Sequence, residues 1–192
     1  MATRAPESGV APPSGDDFEI ELAPMRRRHL RHVLRIEAEV YPRPWSFSLF
    51  LSELALKTSR AYVVARYDEE VVGYAGLMMA LDDAHVTTLA VDPGWHRRHI
   101  AKRLLLHLAD LAIERGAAHM TLEVRVGNSE AQNLYRQFGF RPAGIRKGYY
   151  AETNEDALVM WADDIDTAEY AERLANLEQR VPGTTTVEPA RP

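Results

Sequence analysis

The sequence predicts a mixed α/β domain: one β-sheet with helices on both faces. Three observations carry this. Stretches of period-two alternation, such as Phe18-Glu-Ile-Glu-Leu22 and Met120-Thr-Leu-Glu-Val-Arg125, alternate with stretches of helical spacing. Read in order, they give β-α-α-β-β-β-α-β-α-β-β. Tight hairpin turns and longer helical crossovers both occur in that order, so the sheet holds both antiparallel and parallel neighbours.

The chain has 192 residues, enough for one domain with tails. Residues 1–17, rich in Pro, Gly and Ser, read as a disordered lead. Residues 18–163 form the predicted domain. Residues 164–192 are expected to be helical and then, from Pro182, disordered. A hydrophobic content of 46% and a charged content of 27% are ordinary for a globular protein. The net charge of −5 argues against bulk binding of nucleic acid, so no direct nucleic-acid partner is expected. With no cysteine, disulfides, thiolate metal sites and cysteine nucleophiles are excluded. Met1 to Asp17 lacks the apolar core of a signal peptide, and no run approaches the roughly 18 apolar residues that span a bilayer. A cytoplasmic protein with no membrane partner is expected.

Phe18–Leu22 is the first strand. Leu30, Val33, Leu34 and Val40 give helical spacing over 26–40, and Ser46 is a good N-cap for a second helix. Between them, Tyr41-Pro-Arg-Pro-Trp45 is a stiff aromatic loop, either a packed turn or a substrate-facing surface. Ala61–Tyr67 and Val71–Met79 form a hairpin about Asp68-Glu-Glu70. Val86–Val91 is the next strand. Pro93-Gly94 breaks it, and Ile100, Leu104, Leu108 and Leu111 then line one stripe of a helix that ends at Gly116, where a C-cap glycine belongs. Alternation over 120–125 puts Glu123 on the face opposite Met120, Leu122 and Val124. Asn128 or Ser129 caps a helix ending at Gly139. Two strands follow, near Phe140–Arg146 and Ala157–Trp161, then an acidic helix with Tyr170, Leu174 and Leu177 on one stripe.

The strand, turn and helix over 86–108 are the stretch with chemical content. They aim the unpaired N–H groups of the helix's first turn, and the positive end of its dipole, back at the strand end, which makes an anion site. Arg97, Arg98 and Lys102 add cations there. A plain strand–helix unit with a basic, solvated first turn is equally compatible with this stretch alone. No Gly-Lys-Ser/Thr follows, so it is not a nucleoside-triphosphate loop. It also lacks the three spaced glycines of a dinucleotide site. His96 and His99 lie three apart among cations with no further ligand pair, so no metal site is expected.

In this order, Leu-Ala-Val-Asp-Pro (89–93), the basic loop and helix, Leu-Glu-Val-Arg (122–125) and Asn128-Ser-Glu-Ala-Gln-Asn-Leu-Tyr135 before Gly139-Phe140 resemble the GNAT acetyltransferase superfamily. Arg146-Lys-Gly-Tyr-Tyr150 and Glu155-Asp-Ala-Leu-Val-Met160 make the chain similar to its RimI-type branch, whose members acetylate the N-terminal alanine of a small-subunit ribosomal protein. The resemblance spans roughly Phe18 to Asp163 and implies a mixed, mostly antiparallel central sheet. It also implies acetyl-CoA as donor. The pyrophosphate would sit on the amides of Arg97, Arg98, His99, Ile100, Ala101 and Lys102, and the pantetheine arm would pair with Leu89, Ala90 and Val91, with Asn128 as a further contact. The family's loop, Gln/Arg-x-x-Gly-x-Gly/Ala, falls on His96–Ala101. His96 takes the first position, and His99 stands where glycine is usual.

Acetyl transfer to an amine needs a neutral nitrogen. A free α-amine, with a pKa of about 8, is mostly protonated at neutral pH, and removing the proton costs only about 1–1.5 kcal/mol. The resemblance implies Glu123 as the base, directly or through a water. It implies Tyr135 as the acid for the leaving thiolate, with Tyr150 the first substitute. A backbone N–H near Val91 would face the charge developing on the thioester oxygen. The acceptor peptide is expected between the early helices and the segment after Lys147, near Trp45, Tyr149, Tyr150, Glu155 and Asp156. Other acceptors remain open: broader protein N-termini, lysine or small amines. So does a catalytically silent acyl-CoA-binding module docking through the 164–180 helix.

Overall fold

The structure is a computed structural model and describes residues 11–15 and 17–188. The disorder expected of residues 1–10, 16 and 189–192 therefore lies outside the described residues, while 11–15 form no regular element.

Alternation in β1 (Glu19–Pro24) buries Ile20 and Leu22. A short 3₁₀ turn, Arg27–His29, precedes α1 (Leu30–Val40), so the helix starts later than its spacing suggested. α2 (Phe47–Ala55) begins on Ser46, whose hydroxyl accepts the Leu49 N–H at 3.2 Å. β2 (Arg60–Tyr67) and β3 (Glu70–Ala80) form the expected hairpin. β4 (Asp83–Val91) starts three residues before the stretch read as strand. α3 (Ile100–Glu114) stops ahead of Gly116, which takes φ +85° in the left-handed region that glycine enters freely. β5 (His119–Arg125) alternates as expected, and α4 (Ser129–Gln137) is capped by Asn128, which accepts the Ala131 N–H at 3.0 Å. β6 (Arg141–Tyr150) and β7 (Glu155–Ala162) are longer than read, so Tyr149 and Tyr150 belong to β6 itself. α5 (Ala168–Glu178) follows.

The chain's end corrects the sequence reading. Thr184–Val187, expected to be disordered, form β8, which lies parallel to β1 with Ile20 opposite Thr185. Three neighbours hold it. Arg103 of α3, only 2% exposed, donates to the Pro182 carbonyl and the Thr185 hydroxyl. Arg26 and Glu188 pair at 2.7 Å. The Thr184 and Glu188 N–H groups donate to Phe18 and Leu22 carbonyls. A Thr-rich tetrapeptide carries no burial pattern, so this strand exists through tertiary contacts rather than local propensity.

The described residues form one eight-stranded sheet in the order β6-β7-β5-β4-β3-β2-β1-β8. Neighbours run antiparallel except β4–β5 and β1–β8. α3 and α5 cover one face, where Leu104, Leu105 and Leu108 pack with Leu174 and Leu177. α1 and α2 cover the other, where Val33, Ile36 and Phe50 pack on Val64 and Tyr74. Each fully buried leucine contributes about 1.5–3 kcal/mol of transfer free energy. No helix among the described residues is long and apolar enough to cross a membrane.

Candidate active site

Two irregularities in the middle of the sheet build the site. The first is a bulge: Gly76 pairs with Thr88 and Leu77 with Val86, which leaves Thr87 as an extra residue in β4. The extra residue reverses the strand's parity. Before it, Ala84 and Val86 join the α3-side core, whereas after it Ala90 belongs to the α1-side core. The second is a splay. β4 and β5 pair only from Asp83↔His119 to His85↔Thr121, so beyond His85 the rest of β4 keeps β3 as its partner and turns its other edge toward a gap. That gap opens into a cleft of about 870 Å³ between β4, β5, the α3 start, α4 and the α1–α2 loop.

At one end of the cleft lies the basic turn. Asp92 accepts the Gly94 N–H at 2.8 Å and the Arg35 guanidinium at 2.6 Å, which fixes the chain as it leaves β4. Trp95 is buried against Phe18 and Tyr67, with ring centroids at 5.9 and 5.0 Å. His99 then takes φ +59°, the left-handed conformation for which glycine is the usual residue, immediately before α3. The loop keeps the glycine-like backbone at a cost of about 1–2 kcal/mol. Arg97, His99, Ile100, Ala101 and Lys102 all line the cleft. Burial, with the charge of Arg180 nearby, lowers the pKa of Lys102. The Arg98 side chain is turned elsewhere, over the Phe18 ring at 5.9 Å and onto the Gly15 carbonyl.

In the middle stands Glu123, whose side chain is 12% exposed. Arg146 of β6 donates to its Oε1 at 2.6 Å, and Nε2 of His85 lies 3.1 Å from its Oε2. Tyr135, projecting from α4, lines the same cleft and packs against Phe140. Burial raises its pKa, so it keeps its proton at neutral pH. Burial likewise pushes Tyr150 up to about 12, against the opposing pull of the Arg125 guanidinium stacked 3.9 Å from its ring.

Of the residues read as acceptor contacts, Trp45, Tyr149 and Tyr150 line the cleft, and Glu155 and Asp156 do not. Glu155 is spent on Arg125 at 2.6 Å, and Asp156 accepts the Gly148 N–H at 2.8 Å, so both brace the β6–β7 hairpin. Leu89, Ala90, Val91 and Asn128 are all in the lining.

Four side chains at or beside the cleft receive no individual role from the sequence. The Tyr41 hydroxyl donates to the Leu89 carbonyl at 2.9 Å. Glu37, 1% exposed, faces the cleft with its carboxyl raised by burial. A carboxylate on the stripe of α1 set by Leu30, Val33 and Ile36 was the available signal for it. His85 and Arg146 meet Glu123 only through strand register, which a single sequence does not display. Among the described residues, no group of three or more His, Cys, Asp or Glu is arranged to hold a metal.

The splayed parallel strand pair thus opens beside the basic start of α3. Residues 30–140 match the acetyltransferase (GNAT) family, and the chain belongs to it. Its relatives put it in the RimI-type branch. A protein of Bacillus subtilis strain 168 described as a putative ribosomal protein bS18-alanine N-acetyltransferase is 39% identical over 137 residues, covering 71% of this chain and 91% of the relative. The Mycobacterium tuberculosis N-alpha-acetyltransferase RimI is 34% identical over 159 residues, covering 80% and 98%. The crystal structure of the ribosomal-protein-S18-alanine N-acetyltransferase from Escherichia coli superposes with a TM-score of 0.69 at 30% identity, covering 76% of this chain and 94% of that one.

Proposed function

We infer that this chain transfers the acetyl group of acetyl-CoA to the N-terminal alanine α-amine of a small-subunit ribosomal protein, the counterpart of bS18, in the cytoplasm. The observation that carries the reading is Glu123: a nearly buried carboxylate on β5, facing the gap where β4 leaves its partner. The names of the RimI-type relatives supply the acceptor.

The residues present fit the donor. The edge of β4 turned away from β3 offers backbone groups of Leu89 and Val91 to an extended amide-bearing arm, and the turn from Arg97 to Lys102 offers N–H groups, with the Arg97 and Lys102 cations, to a diphosphate. When bound, acetyl-CoA supplies an activated acetyl group as a thioester. Glu123 takes a proton from the incoming ammonium, directly or through one water, and leaves a nitrogen able to attack. Tyr135, still protonated at neutral pH, gives its phenolic proton to the departing sulfur. Tyr150 lines the same cleft and is the substitute donor. Trp45 and Tyr149 flank the peptide's path.

A CoA-release assay with peptides that differ only in the first residue, plus an N-terminally blocked lysine peptide, tests this. Turnover concentrated on Ala-first peptides is expected. Preferential turnover of the blocked lysine peptide, or of a free small amine, would replace the acceptor.

A further inference from the structure

We propose that His85 is a positioning residue for the acetyl transfer, holding the Glu123 carboxylate so that the acceptor amine meets it in one orientation. The proposal deepens the functional reading above and rests on Glu123 as the base.

The geometry comes from strand register. His85 is the last β4 residue paired with β5, directly opposite Thr121. Glu123 lies two residues beyond Thr121 and therefore on the same face, so the imidazole reaches it diagonally across the apex of the splay, Nε2 to Oε2 at 3.1 Å. Both side chains are largely covered, at 22% and 12% exposure. Arg146 holds the other oxygen, but from an edge strand and with a side chain 56% exposed. The carboxylate thus has a fixed anchor inside the sheet and a movable one at the rim. Each carboxylate oxygen has two lone-pair sites, so one donor apiece leaves room for an amine or a water.

The charge state matters as much as the contact. Burial lowers the pKa of His85; Glu123 on β5 opposes this, and Arg146 on β6 and Arg60 on β2 reinforce it. At neutral pH the imidazole is then an uncharged Nε2–H donor, which orients the carboxylate without adding a second cation beside Arg146. On acidification the ring becomes a cation. It then competes for the carboxylate and adds positive charge where an ammonium must approach, alongside Arg146 and Arg60.

Two substitutions separate these roles. His85→Gln keeps an N–H donor but cannot titrate, and His85→Val fits a strand and removes the donor. With the Ala-first peptide, His85→Gln is expected to keep kcat within about threefold of the unsubstituted enzyme and to soften the acid-side fall of kcat. His85→Val is expected to lose at least fivefold in kcat with KM for acetyl-CoA within twofold. Wild-type kcat and an unchanged acid limb in His85→Val would overturn the proposal. A second measurement needs no turnover: following the His85 ring by NMR titration in the unsubstituted protein and in Glu123→Gln. Loss of the carboxylate should move the His85 midpoint to lower pH, and an unmoved midpoint overturns the pairing in solution. Failure of the unsubstituted enzyme to acetylate any peptide would instead sink the acceptor assignment, with the titration still deciding whether His85 holds Glu123.

Discussion

Arg146 and Glu123 are joined at 2.6 Å across the β6–β7–β5 edge of the sheet, and the same guanidinium lies 4.7 Å from the centroid of the Tyr149 ring. The carboxylate with the strongest chemical claim in the cleft is therefore already ion-paired. Ion pairing alone is what a structural carboxylate would show. Its position, at the mouth of the β4–β5 splay among cleft residues, is what a structural role does not require.

Glu123→Gln should separate the two. The amide keeps the volume and accepts from Arg146 but cannot take a proton. Turnover should fall at least tenfold while acetyl-CoA affinity, measured by calorimetry, stays within twofold. Equal loss of both would make Glu123 a structural residue.

The bulge in β4 depends on Gly76. A Cβ built there would lie 2.3 Å from Cε1 of Tyr62 and 2.7 Å from Oγ1 of Thr87, the extra residue of the bulge. Gly76→Ala must displace the Tyr62 ring, whose hydroxyl donates to Glu53 at 2.7 Å. Overpacking of this kind costs about 1–3 kcal/mol. Thermal unfolding should show a lower Tm, together with weaker acetyl-CoA binding because the β4 edge shifts. A silent substitution would mean that the bulge tolerates repacking.

Local chemistry was legible in the sequence wherever one residue sufficed. Ser46 and Asn128 cap helices because their oxygens accept orphan N–H groups, and Gly116 ends α3 because it accepts a positive φ. The face of Glu123 followed from alternation alone. Features fixed by distant register did not. The parity reversal at Thr87, the diagonal from His85 to Glu123 and the strand at Thr184–Val187 each need two segments far apart in sequence. Glu155 and Asp156 were read toward the substrate, but their hairpin geometry consumes them.

β8 carries its own prediction. Deleting residues 181–192 removes both acceptors recorded for the Arg103 guanidinium and opens the edge of β1. Hydrogen bonds to a charged group contribute about 1.5–3 kcal/mol each, so losing both should cost about 3 kcal/mol or more. For a chain of this size that corresponds to a Tm drop of roughly 6–12 °C. An unchanged Tm would show that β8 adds nothing to the domain.

Acid should destabilise the protein partly through His29. Burial, then the neighbouring Arg28, Arg66 and Arg26, depress its pKa to about 4 from an ordinary 6.5. The folded state thus binds fewer protons than the unfolded chain between those values, so this stability is complete above about pH 6.5 and is lost as pH falls toward 4. The full effect is on the order of 3 kcal/mol. Replacing His29 with Gln should flatten the Tm decline between pH 7 and 5. An identical decline in both proteins would assign acid lability to other groups.

The central claim is that the acetyl group goes to an α-amine. The most direct measurement is tandem mass spectrometry of a peptide that begins with alanine, follows the N-terminal sequence of the bS18 counterpart and contains an internal lysine, after incubation with the enzyme and acetyl-CoA. One added acetyl on the alanine nitrogen is predicted, with at least tenfold less of it in the Glu123→Gln reaction over the same time. An acetyl on the lysine side chain, with the alanine nitrogen unmodified, would contradict it.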